Sequence, residues 1–155
     1  MYVQERGSII RDLGFDFQTD GYRGADLTIF SAHLVDGFTI TDWTYQQVPH
    51  SIVWAVRSDG ALLGLTFVRE QQMLAWHRHD FTNGLVKSIA TIPSGDEDAP
   101  FVVVERTIDG RTTKYVEKLS VNRVSDIKDS TFMDSFSTFD GRNTGSTTMT
   151  LTTGS

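Results

Sequence analysis

Glycine preceded by aspartate or asparagine recurs along this chain, and no other feature restricts its fold so tightly. Asp-Gly stands at 20–21, 36–37, 59–60, 109–110 and 140–141, and Asn83-Gly84 has the same chemistry. Such pairs tolerate positive φ and are the favoured centres of two-residue hairpin turns. Between them lie short runs rich in β-branched and aromatic residues: SIVWAVR (51–57), ALLGLTFV (61–68), MLAWHRH (73–79), LVKSIATI (85–92), FVVVERT (101–107) and TKYVEKL (113–119). The expectation is a mainly β chain of consecutive antiparallel hairpins.

SIVWAVR and ALLGLTFV are apolar on both faces, so both faces of their sheet should be covered, with Val53 and Leu65 buried. TKYVEKL, with Lys114 and Lys118 around Val116, suits an edge strand. Pro49, Pro93 and Pro100 fall between these strand candidates. One short helix is expected near the N-terminus, in ADLTIFSAHLVDG: Asp26 caps it, Leu27, Phe30 and Leu34 form its apolar stripe, and Gly37 ends it. Before it, pieces at 2–5 and 13–17 look like strands.

SIVWAVRSDGALLGLTF and FVVVERTIDGRTTKYVEKL both run strand, Asp-Gly, strand, and a further strand candidate precedes each, FTITDWTYQ (38–46) and LVKSIATI. Four strands recurring at this spacing have the form of a β-propeller blade, although two copies close no ring and a small sandwich fits equally. One compact domain follows, in four stretches: an N-terminal strand and helix segment (1–37), a first blade-like four-stranded unit (38–80), a second (81–130), and a Thr/Ser/Gly-rich strand or frayed tail (131–155).

The chain's 155 residues suit a single domain. Fourteen Lys and Arg against twenty Asp and Glu leave a net charge of −6, which argues against a surface that grips nucleic-acid phosphates. With no cysteine, disulfides and thiol catalysis are excluded. No apolar run approaches the roughly 20 residues of a membrane span. The start, MYVQERGSII, does not have the form of a secretory signal.

Two histidines two residues apart, His77 and His79, are the candidate metal ligands. On a strand they share a face, with Trp76 and Arg78 on the other. A closed site needs further ligands, and neither His33 nor His50 has a recognisable spacing to them. The plainer reading has Trp76 in the core and the His-bearing face in a partly solvated groove or a subunit contact, so that Trp76, His77, Arg78 and His79 are the interface candidates. For acid/base chemistry the candidates are Asp42, Glu70, Asp80, Glu105 and Glu117, none with a flanking motif, so no catalytic residue is assigned. GDEDAP (95–100) lacks the alternate spacing of a calcium loop and suits a solvated turn. Trp43, Tyr45, Trp54 and Trp76 could build a sugar platform, though strand aromatics are commonly core. No cofactor is implied.

The runs YVQERGSIIRDLGFDFQTDGYRGADLTIFSAHL, SIVWAVRSDGALLGLTFVREQQMLAWHRHD, VERTIDGRTTKYVEKL and FMDSFSTFDGRNTGSTTMTLT, in this order, resemble the nozzle or tail-tube proteins of short-tailed bacteriophages and their prophage relatives. These are also called tail tubular protein B or phage stabilisation-type proteins. The resemblance implies a propeller-based structural subunit, several times longer than this chain, of which this would be a central fragment. It would assemble with copies of itself as a ring, commonly a hexamer, below the head–tail connector, and would anchor fibres or spikes. The ring would line the channel through which the genome leaves without specific binding. It implies a place in the virion, with assembly in the bacterial cytoplasm, and no catalysis. Two other functions stay open: a carbohydrate-binding module of a tail, and a His-dependent metallohydrolase.

Overall fold

The computed structural model describes residues 1–5, 7–71, 73–120 and 127. All described strands lie in one unit, 1–123; a second unit, 124–155, contains the Thr/Ser/Gly-rich tail, so the expectation of a strand there, and the turn at 140–141, lie outside the described residues. Among the described residues ten strands form three antiparallel sheets. The first holds β1 (Tyr2–Val3), β2 (Ile10–Asp16) and β3 (Gly21–Asp26). The second is a four-stranded meander of β4 (Ile40–Gln46), β5 (Ile52–Arg57), β6 (Leu62–Val68) and β7 (Met73–His79). The third holds β8 (Gly84–Ser94), β9 (Glu97–Ile108) and β10 (Arg111–Lys118).

The two-faced apolar runs do what their composition demands, because the central meander is covered on both sides. Alternation along β5 and β6 sends Trp54, Val56 and Leu62 against Val86, Ile89, Val102 and Val104 of the third sheet. The intervening residues Val53 and Leu65 pack on Ile10 and Leu27 of the N-terminal layer, and Ala55 and Leu63 pack on Val35. Val53 and Leu65 are buried, as expected.

The Asp-Gly pairs do not all make the same turn. Asp109 and Gly110 both have positive φ (50° and 73°) between the paired Ile108 and Arg111, which is the two-residue type I′ hairpin. Asp59-Gly60 instead closes a three-residue loop: Gly60 N donates to the Arg57 carbonyl (2.8 Å), Arg57 N donates to the Ala61 carbonyl (2.9 Å), and Gly60 alone turns left-handed. Asp36-Gly37 ends a single 3-10 turn, and a further tight hairpin forms at Gly95-Asp96, inside the acidic stretch expected to be a solvated turn.

Two expectations need correction. The helix over 26–37 is absent; the segment runs from β3 through a bend into a 3-10 turn at Ala32–Leu34. Its cap signal is used locally, Asp26 Oδ1 accepting from the N and Oγ1 of Thr28 at 2.8 and 2.7 Å. The carbonyls of Leu27 and Leu34 are taken by sheet side chains, Trp76 Nε1 (2.7 Å) and Arg57 Nη1 (2.6 Å), and Phe30 of the supposed stripe is 88% exposed. Within 81–130 the described residues form the three strands of the third sheet. Pro93 and Pro100 lie inside β8 and β9. Pro100's carbonyl accepts from Leu119 N (2.9 Å), so its ring nitrogen faces the side where β10 has just ended and no donor is needed. Among the described residues no closed barrel or propeller is seen.

The third sheet meets β4 through an unusual edge. Ile89 N donates to the Asp42 carboxylate (3.0 Å) and Thr91 N to Thr44 Oγ1 (3.2 Å), so side chains rather than backbone occupy these two outer donors of β8. Pro93, next in that alternation, has no N–H to satisfy. No helix among the described residues is long and apolar enough to cross a membrane.

Candidate functional site

Strand β7 forms one edge of the central meander, and its alternation splits the interface candidates into two pairs. Trp76 and Arg78 face the N-terminal layer, where Trp76 is half-buried against Leu65 and Leu63 and donates to the Leu27 carbonyl. Arg78 is exposed and pairs with Asp80 (2.7 Å). His77 and His79 face the other way, with Trp54.

The two imidazoles and the Trp54 indole form one aromatic cluster. His77 meets Trp54 edge-on at 5.7 Å between centroids, His79 meets it at 5.2 Å, and the two imidazoles are 4.9 Å apart. Gly64 on β6 makes the space, since a Cβ there would stand 2.0 Å from His77 Cε1. His77 Nδ1 and His79 Nε2 are 2.7 Å apart, so one donates to the other. Partial burial lowers the pKa of both rings from the ordinary value; the charge of His79 lowers His77 further, and Asp80 partly offsets the effect at His79. Two nitrogens ligating one zinc at about 2.0–2.1 Å would stand roughly 3.3 Å apart in tetrahedral geometry, whereas these face each other as donor and acceptor. No third His or acidic ligand joins them among the described residues.

The acid/base candidates are dispersed over the fold. Asp42 binds Trp43 N (2.9 Å) and Ile89 N; Asp80 pairs with Arg78; Glu105 pairs with Lys87 (3.1 Å); Glu117 takes both ends of the Arg106 guanidinium (2.8 and 3.0 Å). Glu70 lines a cavity. That cavity is an open groove of about 440 Å3 beside β4, lined by Trp43, Tyr45, Ser51, Phe67, Asp12 and Glu70 among others.

The four sugar-platform aromatics separate in the same way. Trp54 is 7% exposed and donates from Nε1 to Gln46 Oε1 (3.0 Å), and Trp76 is packed as above. Trp43 and Tyr45, 39% and 52% exposed, share the face of β4 opposite to Trp54.

Sequence reasoning missed three buried polar side chains. Arg57 donates to Asp59, donates to the Leu34 carbonyl and lies 3.7 Å from the Phe38 ring centre. The Asp59 hydrogen bond raises its pKa, and Arg57 lowers that of Asp59 in return. Arg106 repeats the device in the second hairpin, with Glu117, the Thr82 carbonyl (2.9 Å) and Phe81. Gln46 joins Trp54 to the Asp98 carbonyl (3.0 Å), while the Asp98 carboxylate accepts from Gln47 N and Val48 N. The signal was an Arg closing an apolar strand just ahead of Asp-Gly in both repeats, which places a cation where only a pairing site can hold it.

The described residues thus define a mainly β protein of three antiparallel sheets with an exposed aromatic groove. Comparison with known protein families and with curated proteins gave no match to this chain.

Proposed function

We propose that this chain is a structural, self-assembling unit of a phage tail nozzle, without chemistry of its own. The observation that carries the reading is an exposed aromatic ridge on the N-terminal sheet. Phe15, Phe17 and Tyr22 meet edge-to-face at 5.1 and 5.4 Å, yet Phe17 is 91% and Tyr22 74% exposed. Leu13 extends the same surface. Apolar surface of this kind marks a contact with another protein.

In this proposal the meander β4–β7 is a blade-like unit of a larger propeller, and the ridge meets another copy in a ring below the head–tail connector, which also carries fibres or spikes. The net charge of −6 suits a channel wall that DNA passes without adhering. The order of the resembling segments supports the assignment to phage tails and hence to the virion, with assembly in the host cytoplasm. Mass spectrometry of phage particles purified from an induced culture of the source bacterium tests it. Peptides of this chain should purify with the particles in a constant ratio to the connector protein, and their absence from intact tailed particles would sink the proposal.

A further inference from the structure

We propose that the groove beside β4 is a binding site for a neutral oligosaccharide, with Trp43 and Tyr45 as its stacking platform. The reading goes beyond the structural role above and stands on a different part of the molecule.

The platform follows from strand geometry. Trp43 and Tyr45 are two residues apart on one face of β4, which sets their Cα atoms about 6.6–6.8 Å apart along a flat surface. Neither ring is needed to complete the core. Trp54 and Trp76 have inward-facing rings and indole N–H groups bonded to Gln46 and Leu27, while Trp43 and Tyr45 keep large exposed faces over the groove. Exposed aromatic faces in line accept the C–H faces of successive sugar rings, because both are apolar and flat on the scale of one ring.

Around the platform stand groups suited to hydroxyls. The Tyr45 hydroxyl and Ser51 Oγ are 2.9 Å apart, and Glu70 and Asp12 line the groove. Carboxylates accept hydrogen bonds from sugar O–H groups, and so can the Tyr45 hydroxyl oxygen, because Ser51 Oγ donates to the Phe67 carbonyl (3.1 Å) and takes the Tyr45 proton. A groove of about 440 Å3 falls in the usual range for small-ligand sites, about 300–1,000 Å3.

The same features decide against other ligands. Phosphorylated or carboxylated molecules would meet the Glu70 carboxylate on a chain of net charge −6. A quaternary ammonium ion prefers rings that enclose a point. Here two rings lie along one strand, and the third, Phe67, packs into the core beneath.

Nitrogen-15-labelled chain gives one indole N–H signal for each of its three tryptophans. The chain is titrated with chitotetraose, with cellotetraose and, separately, with tetramethylammonium chloride. Saturable movement of the Trp43 signal with an oligosaccharide is the expected result, with the signals of Trp54 and Trp76 still. Tyr45→Ala and Glu70→Gln should each weaken binding about tenfold while leaving the rest of the spectrum in place. The proposal is overturned if neither oligosaccharide gives saturable movement at Trp43, if both variants bind as the parent does, or if tetramethylammonium alone saturates the site.

Discussion

The imidazole of His77 fills the space above Gly64 on the neighbouring strand, leaving no room for a methyl group at residue 64. The ring is held there by Trp54 on one side and by His79 on the other. Gly64→Ala should therefore displace the ring and cost about 1–3 kcal/mol, the usual range for overpacking. The midpoint of urea unfolding measures it. Combining Gly64→Ala with His77→Ala should return much of the loss, and no recovery would mean that the backbone, not the ring, resists the methyl.

Acid should weaken this cluster. Both histidines titrate below the ordinary 6.5 in the folded chain, so the unfolded chain binds protons first as pH falls. Their contribution is complete above about pH 6.5 and is lost as pH drops from there through the lowered folded values. The groups around them are Trp54, Thr66 and Asp80, and only Asp80 pulls the other way. Urea midpoints at pH 7.5 and pH 5 should differ, and the difference should shrink in His77→Gln/His79→Gln.

Leu65 is fully buried at the junction of the meander and the N-terminal layer, beside Ile10, Leu27 and Val53. Leu65→Ala should cost about 2–5 kcal/mol. Leu65→Asp places an unpaired charge in that apolar contact and should abolish the cooperative thermal transition seen by circular dichroism.

Arg57 should not tolerate lysine. Its fork serves Asp59 and the Leu34 carbonyl at once while stacking on Phe38, a combination that a single ammonium cannot reproduce. Arg57→Lys is expected to lower stability by about 1–3 kcal/mol through the unmade hydrogen bonds. A melting temperature equal to the parent's would show that the fork contributes nothing.

If the exposed ridge is a subunit contact, solution mass should rise with concentration in light scattering. Phe17→Ser with Tyr22→Ser should suppress the rise without changing the melting temperature, because both side chains lie outside the core. A parent chain that is monomeric throughout would remove the ridge as a self-contact.

The strands were legible because their signals are local. β5, β6 and β7 are runs of Val, Ile, Leu and Trp between turn residues, and the observed Ile52–Arg57, Leu62–Val68 and Met73–His79 differ from the expected 51–57, 61–68 and 73–79 by one residue at most. The segment 26–37 was misread because its fate is decided from afar. Asp26, Leu27, Phe30 and Leu34 have helical spacing, but Trp76, distant in sequence, takes the Leu27 carbonyl that a helix would use itself, and Arg57 takes that of Leu34. Of the candidate sites, the sharing of a face by His77 and His79 could be read from alternation. Their contact with Trp54 could not, since it depends on how β5, β6 and β7 register and on a glycine whose role appears only across strands. The groove pairs Asp12 with residues of β4 and β6, a meeting that no spacing announces.

The side chains of Asp42 and Thr44 also govern how one chain can join another. A bare strand edge recruits any extended segment that offers complementary amides. On β8 the donors of Ile89 and Thr91 are already occupied and Pro93 offers none, so that border cannot template a further strand. Growth of the sheets by an added chain is thereby blocked at this border. A single carboxylate and a single hydroxyl thus act as a stop to polymerisation in one direction, and Asp42→Ala with Thr44→Val would reopen it.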